Sequence, residues 1–110
     1  WHDRPIRALH PFDQDRQLLT AVIRGEYTLT GFRNRDLQAA FFSAPADSVR
    51  EHRRRSAWVT RQLRLLRAHG LITRIPGTHR YRLTPAGTTL ITAVLAALSA
   101  TTRTLTAMAA

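Results

Sequence analysis

Hydrophobic residues recur at helical spacing in four stretches of the chain, which predicts a mainly α-helical protein. The first helix is expected to begin with Asp13 as its N-cap and to end at Gly25. A second helix is expected to begin with Thr30 as its cap and to end before Pro45. Residues 27–29 between these helices are strand formers, so a short strand is expected there. The predicted buried positions are Leu18, Leu19, Val22 and Ile23 in the first helix, and Phe32, Leu37, Phe41 and Phe42 in the second.

The clearest helical pattern lies between Ser56 and His69 and precedes Gly70, a residue type that favours the left-handed conformation at a helix end. Ser48 offers an alternative N-cap, from which the helix would start earlier and run through residues 53–55. Trp58 flanks the apolar side, where it would pack on the second helix or face a sugar. The predicted core stripe of this third helix consists of Val59, Leu63 and Leu66.

After the third helix the pattern changes to that of a two-stranded hairpin, with strands around residues 71–75 and 81–83 and a turn at residues 76–78. Thr84 as cap and Pro85 at the first helical position then predict a last helix. The order is helix, short strand, helix, helix, hairpin, helix. This order predicts a winged helix-turn-helix fold that is mainly α with a small β-hairpin wing. The domain would span residues 13–84, between an arm or linker at 1–12 and a C-terminal helix at 85–110.

The last helix has apolar residues in a 3,4 rhythm, which is typical of a helix that pairs with another helix. It is therefore expected to mediate dimerisation or docking, and the alternative is one more core helix. A second stripe, Leu90 and Leu95, can face the domain itself. A membrane span is not favoured, because threonines, Ser99 and Arg103 interrupt the segment. The expected dimerisation residues are Ile91, Val94, Leu98 and Leu105.

Positive charge is concentrated in one part of the chain. All 17 basic residues are arginine, against 7 acidic residues, which gives a net charge of +10. Residues 50–82 hold ten of these arginines and one acid, Glu51, so they carry +9 of that total. A GC-rich genome accounts for the missing lysine but not for the sign of the charge. Concentrated positive potential on one helix and one hairpin is the footprint expected for polyanion binding.

The face of the third helix opposite its core stripe combines arginine with small side chains, which suits insertion into the major groove of duplex DNA. There, arginine can form two hydrogen bonds to guanine, and threonine can donate to a phosphate or meet a thymine methyl. The hairpin would lie along the DNA backbone or reach a minor groove. The predicted DNA-binding residues are Arg53, Arg54, Ala57, Thr60, Arg61 and Arg64 on the helix, and Arg74, Thr78, His79, Arg80 and Arg82 on the wing.

The run at residues 59–72, VTRQLRLLRAHGLI, resembles the recognition helix and following strand of the arsenical-repressor and multiple-antibiotic-resistance-regulator winged-helix superfamily. Residues 18–28, LLTAVIRGEYT, are similar to the first helix and strand of that group. Together the similar segments extend over roughly residues 18–84. The segment at residues 43–55 departs from the pattern, because it is longer than the tight turn usual there. The resemblance implies a winged-helix fold and DNA binding.

The expected function is therefore that of a bacterial-type transcriptional regulator, which binds a palindromic duplex DNA site as a homodimer in the cytoplasm, on the nucleoid. One alternative is a DNA-docking module of a larger recombinase or transposase, whose catalytic part would precede Trp1. The other alternative is a winged helix that binds protein or RNA.

Several kinds of chemistry are not expected of this chain. It has no cysteine, so it forms no disulfide and no thiolate metal site. Its five histidines lack the spacing of metal ligands, and no nucleophile–base arrangement or glycine-rich phosphate loop is present. Asp13 and Asp15 fit helix caps better than an acid–base pair. Residues 1–12 are polar and do not resemble a signal peptide. No metal, cofactor or enzymatic activity is therefore expected.

Overall fold

The computed structural model describes residues 6–24 and 27–109, and it is mainly helical with one small antiparallel hairpin, as predicted. Residues 1–5 of the predicted arm, Gly25 as the predicted helix end, and Ala110 lie outside the described residues. In the described part the helices are α1 Arg16–Val22, α2 Tyr27–Thr30, α3 Asn34–Phe41, α4 Val49–Ala68 and α5 Pro85–Ala109, and the strands are β1 Ile72–Arg74 and β2 Tyr81–Leu83.

The first helix begins later than predicted, at Arg16 rather than after Asp13. Asp15 occupies the N-cap position, but its carboxylate makes no capping hydrogen bond. Instead it accepts two hydrogen bonds from the Arg7 guanidinium and one from the backbone N–H of His10. The prediction that Asp15 acts as a helix cap is therefore wrong, because both of its carboxylate oxygens accept hydrogen bonds from Arg7.

The described part of the predicted arm, residues 6–12, contacts the domain. The carbonyl oxygen of Arg7 lies 3.0 Å from Nε2 of His69, directly after α4. Leu9 packs against the hydrophobic core. These contacts join the arm to the C-terminal end of α4 and to the core.

No strand forms at residues 27–29, because Tyr27–Thr30 makes a single helical turn, α2. Gly31 follows with a φ of 76°, and its N–H bonds to the carbonyl of Tyr27 over 3.0 Å. This turn reverses the chain, so that Phe32 rather than the preceding residues meets β2. Phe32 and Tyr81 exchange two backbone hydrogen bonds of 2.8 Å each.

The predicted cap at Thr30 is also wrong, because α3 begins only at Asn34. Arg33 is its N-cap residue, and the Arg33 backbone N–H donates to the carboxylate of Asp36 over 2.7 Å. A carboxylate in the first turn satisfies a backbone donor that the helix itself leaves unpaired.

Helix α4 follows the longer of the two predicted alternatives. Its N-cap is Ser48, whose hydroxyl accepts the N–H of Glu51 over 3.0 Å. Gly70, just beyond its end, has a φ of 73°, as the predicted left-handed position requires. Trp58 packs edge-on against Phe41 and Phe42 at the end of α3, which confirms the prediction that it packs on the preceding helix. The predicted stripe of Val59, Leu63 and Leu66 is buried, together with Leu65.

The hairpin is joined closely to the start of α5. Thr84 donates its backbone N–H to the carbonyl of Leu71 over 3.0 Å, and its hydroxyl accepts the N–H of Gly87 over 2.9 Å, which confirms it as the helix cap. At Gly87 the helix passes so near to β1 that an added Cβ would lie 2.0 Å from the Leu71 carbonyl oxygen. A glycine is therefore required by this close approach.

The structure corrects the predicted dimerisation stripe of α5. Ile91 and Val94 are 0% and 4% exposed and are buried within their own domain, so neither is available to a second chain in this fold. Leu98 is half-buried, whereas Leu105 is 62% and Met108 78% exposed. Leu90 and Leu95 pack against the core, as expected for the second stripe. The first half of α5 is thus a core helix, and the second half leaves the domain.

By length and composition alone, the segment Pro85–Met108 could cross a membrane. Core helices of water-soluble proteins meet the same criterion, so this single segment is weak evidence for a span. Ile91, in the first half of this segment, belongs to the buried hydrophobic core of the domain.

Candidate nucleic-acid interface

The exposed face of α4 carries a stripe of arginines and small residues. The stripe is opposite the buried stripe that begins with Val59, so the core fixes its direction. Arg53, Arg61 and Arg64 are exposed, and none of them forms a hydrogen bond or an ion pair with a described residue. These guanidinium groups are free to bind a ligand. The arginine stripe consists of Arg53, Ala57, Thr60, Arg61 and Arg64, which together line one shallow concavity with His52 and Ser56.

Arg54 does not belong to this set of free arginines, although it was predicted to contact DNA. Its Nε and Nη2 donate to the two carboxylate oxygens of Glu51 over 2.8 and 2.7 Å. Arg55 donates to the same carboxylate over 3.0 Å and to the carbonyl of Ala44 over 2.7 Å. These hydrogen bonds, first from Arg54 and then from Arg55, lower the pKa of Glu51 to about 2. The guanidinium of Arg54 is therefore already paired at neutral pH.

Thr60 is exposed, but its hydroxyl is already engaged. It donates to the carbonyl of Ser56 over 2.9 Å and accepts from the side-chain amide of Asn34 over 3.1 Å. The predicted donation from Thr60 to a phosphate is therefore not available in this arrangement, because the hydroxyl hydrogen is used within the domain.

A second concavity, of about 620 Å³, lies between α3, α4 and β2. Its lining includes no carboxylate, and it continues the positive surface from α4 towards the hairpin. Arg67 spans this groove, with its guanidinium carbon 5.9 Å from the centre of the Tyr81 ring. The sequence-based prediction did not assign to the site several polar residues that line this groove: Arg33, Asn34, Arg35, Gln38, His52, Ser56 and Arg67. On a helical projection Arg67 lies about 80° from Val59, between core and outer face, which could have revealed it.

The hairpin turn uses several of its polar groups internally. Arg74 donates from Nε to the carbonyl of Thr78 over 2.7 Å, and its Nη2 lies 3.4 Å from Nδ1 of His79. The hydroxyl of Thr78 donates to the carbonyl of Ile75 and accepts the N–H of Arg80. The structure therefore assigns the Thr78 hydroxyl to the turn and not to a ligand. His79 lines the groove of α3 and α4.

The predicted wing cations do not share one face. Arg80 is half-buried and lines a separate depression with Arg24, Gly31 and Asp36, on the side of α2. Arg80 therefore does not line the groove that His79 and Tyr81 line, and its predicted contact with DNA stays a prediction. Arg82 is exposed, opposite Thr73 in β1.

Within the part of the chain that the structure describes, no group of three or more His, Cys, Asp or Glu side chains could hold a metal ion. Neither concavity on α4 is lined by a carboxylate. The chemistry that the surface offers is therefore hydrogen bonding by guanidinium groups to anions or to paired acceptors.

Comparisons of the chain with protein-family models, with curated proteins and with solved structures found no match.

Proposed function

We propose that the chain is a winged helix-turn-helix domain that binds duplex DNA sequence-specifically, with α4 in the major groove and the β1–β2 hairpin as the wing. The observation that carries this proposal is the arginine stripe, an exposed set of unpaired guanidinium groups on a helix whose opposite face is buried. Residues 50–82 carry +9 of the net charge of +10. Such a surface attracts a polyanion and can also read base edges.

The dimensions of α4 support insertion into DNA. The helix has 20 residues, and a helix of about 10–12 Å in diameter fits a major groove about 12 Å wide. Ala57 is exposed in the middle of the stripe, where a small side chain allows close approach to base edges. Arg61 and Arg64 would each form two hydrogen bonds to guanine, a contact that contributes about 1–3 kcal/mol of discrimination.

The surroundings of α4 support contacts to the DNA backbone. Arg33 and Arg35 stand at the start of α3, beside the groove that Arg67 spans. On the hairpin, Arg82 is exposed and His79 faces the same groove. Because contacts to phosphates carry little sequence information, these residues would set the affinity and orientation of the domain rather than its specificity.

We further propose that two chains associate through the distal half of α5 and act as a bacterial-type transcriptional regulator in the cytoplasm. The exposure of Leu105 and Met108 supports this part of the proposal, since large apolar side chains on a helix that leaves the domain favour a partner. A homodimer would bind a palindrome, with one half-site for each α4.

The test is binding of the purified chain to random duplex DNA, single-stranded DNA and double-stranded RNA at several salt concentrations. If about five phosphates are contacted by each chain, the logarithm of the association constant falls with the logarithm of salt concentration with a slope of about −4 to −5. Arg103→Ala, an exposed arginine on α5, serves as a control for net charge. A slope near zero, or equal affinity for RNA, would contradict the proposal.

Selection of the bound duplexes from the random pool, followed by their sequencing, distinguishes a regulator from a docking module. A palindrome supports the homodimeric regulator. A single half-site supports a DNA-docking module of a larger protein, and no enrichment contradicts sequence-specific binding.

A further inference from the structure

A chain of hydrogen bonds fixes the side chain of Thr60 against α3. Gln38 donates from its amide to Oδ1 of Asn34 over 2.5 Å. The Asn34 amide nitrogen donates to the carbonyl of Ser56 over 3.0 Å and to the Thr60 hydroxyl over 3.1 Å. Thr60 in turn donates to Ser56 over 2.9 Å. Both hydrogens of the Asn34 amide and the single hydrogen of the Thr60 hydroxyl are thus used within the domain.

This network decides what Thr60 can offer to a ligand. Since the hydroxyl hydrogen is donated to Ser56, the hydroxyl has no hydrogen left for a ligand, and the γ-methyl is the apolar group that this exposed side chain offers. The methyl of Ala57 lies three positions earlier on the same helix face, where residues at this spacing are neighbours. Both residues are exposed and line one concavity together with Arg53, Arg61 and Arg64. The middle of the arginine stripe is therefore apolar, with charged groups around it.

We infer that Thr60 and Ala57 form a subsite for the C5-methyl group of a pyrimidine, in thymine or in 5-methylcytosine. The inference rests on the proposed function, since it names the base feature that α4 reads. In the major groove, unmodified DNA presents one apolar group, the thymine methyl, and the other features are hydrogen-bond donors and acceptors. A site with two methyl groups and no free hydroxyl hydrogen is complementary to that group. The neighbouring arginines would bind guanines, so the pyrimidine that carries the methyl group would lie next to guanines in the DNA site.

The size of the effect follows from the burial of one methyl group. Removing the buried methyl from the DNA is expected to weaken binding about three- to fivefold, which corresponds to about 0.8 kcal/mol. The first arm of the experiment replaces each thymine of the selected duplex by uracil, one position at a time, because uracil differs from thymine only in lacking this methyl. A three- to fivefold loss is expected at one position of each half-site. The second arm replaces thymine there by cytosine or by 5-methylcytosine, and the methylated base is expected to bind better.

Two substitutions at Thr60 separate the methyl from the hydroxyl. Thr60→Ser keeps the hydroxyl and loses one of the two methyl groups of the subsite, so the ratio of thymine to uracil affinity should fall towards 1. Thr60→Val keeps the methyl and loses the hydroxyl, so the ratio should persist. Arg61→Ala is the control, because it should weaken binding while it leaves the ratio intact. Melting temperatures of the variants show whether each one is folded.

The base replacements leave the protein unchanged, so they test the inference even if a variant is unstable. Equal affinity for thymine and uracil at every position of the parent's site would overturn it. So would a ratio that Thr60→Ser retains and Thr60→Val abolishes, because the hydroxyl would then be the reading group. If the folded parent binds no duplex at all, the proposed function and this inference both fail. If it binds selected duplexes without a methyl effect, only this inference fails.

Discussion

Arg7 and Asp15 form a two-pronged ion pair, in which Nη1 lies 2.8 Å from Oδ2 and Nη2 lies 2.7 Å from Oδ1. The pair joins the arm to the start of α1. The Asp15 side chain is 3% exposed and that of Arg7 is 39% exposed, so the carboxylate is the buried partner. Hydrogen bonding from Arg7 holds the pKa of Asp15 below its ordinary value.

Asp15→Asn should destabilise the protein at neutral pH by about 1.5–3 kcal/mol, because hydrogen bonds to a charged group are lost. The pKa of Asp15 is lowered on folding, so its contribution is complete above the ordinary value of about 3.9. That contribution is lost as the pH falls through the lower folded-state pKa. Urea unfolding of parent and variant between pH 7 and pH 2 should show a difference that shrinks below about pH 4. A difference that stays constant with pH would refute the ion pair, and Asp13→Asn, at an exposed position, is the control.

Glu51→Gln should strengthen binding to all duplexes alike. The change removes the carboxylate that holds Arg54, so one more guanidinium becomes available to a phosphate. The salt slope should become steeper by about 1. The helix start is retained, since Ser48 caps the backbone of residue 51 and not its side chain.

Lowering the pH from 7 to 4 should leave the difference between the parent and Glu51→Gln unchanged, because the pKa of Glu51 is about 2 and the carboxylate stays ionised. The measurement is a salt titration of parent and variant at pH 7 and pH 4 with two unrelated duplexes. An effect limited to one of the duplexes would mean that Arg54 reads bases instead.

Arg61→Ala and Arg64→Ala should relax the sequence preference, each with a loss of about 1–3 kcal/mol on the selected site and less on other duplexes. Arg82→Ala should weaken binding to all duplexes by a similar factor, because the hairpin would contact the backbone. Affinities for the selected site and for a scrambled duplex provide the comparison. If Arg82→Ala changed the preference as much as Arg61→Ala did, α4 would not be the reading element.

Gly87→Ala should destabilise the protein even though alanine favours helices by about 1 kcal/mol over glycine. The new methyl would lie 2.0 Å from the Leu71 carbonyl oxygen, so α5 must move away from β1. Overpacking of this kind costs about 1–3 kcal/mol. Ala86→Gly, at an exposed position in the same turn, should show the ordinary loss from helix propensity. A higher melting temperature for Gly87→Ala would show that the close contact is absent.

The sequence predicted those elements that a single stripe of side chains specifies. Val59 and Leu63 mark the buried side of α4, and Gly70 marks its end, so both the helix and its outward face follow from spacing alone. Thr84 likewise identifies the start of α5. The free arginines Arg61 and Arg64 could be located because a helix with one known face has a known opposite face.

Other features depend on contacts between distant residues, which spacing does not encode. Tyr27 favours a strand by itself, but the reversal at Gly31 leaves Phe32 to pair with β2. The guanidinium of Arg7, in the arm, binds the Asp15 carboxylate, which therefore does not cap α1. In α5 the 3,4 rhythm continues from buried Ile91 to exposed residues, and the pattern does not show where the domain ends.

Leu105→Asp should lower self-association while the stability of the single chain is unchanged, since this residue is 62% exposed. Sedimentation equilibrium of parent and variant at equal concentration measures the effect. Ile91→Asp is the contrasting variant, and it should unfold the domain because Ile91 is fully buried. A parent that is monomeric at high micromolar concentration would remove the dimer from the proposal and leave α5 as a docking helix.

The cationic surface on α4 owes its charge at neutral pH to guanidinium groups. A guanidinium keeps its proton throughout the range in which proteins are folded, so the charge of this surface is constant where an ammonium would begin to titrate. The chain has no lysine, so acetyl, ubiquitin and other amine-directed modifications find no side chain to acylate. Arginine methylation would block hydrogen bonds but would leave the charge in place. The attraction of this surface for a polyanion thus depends on ionic strength and is insensitive to the reagents and enzymes that neutralise lysine-rich surfaces.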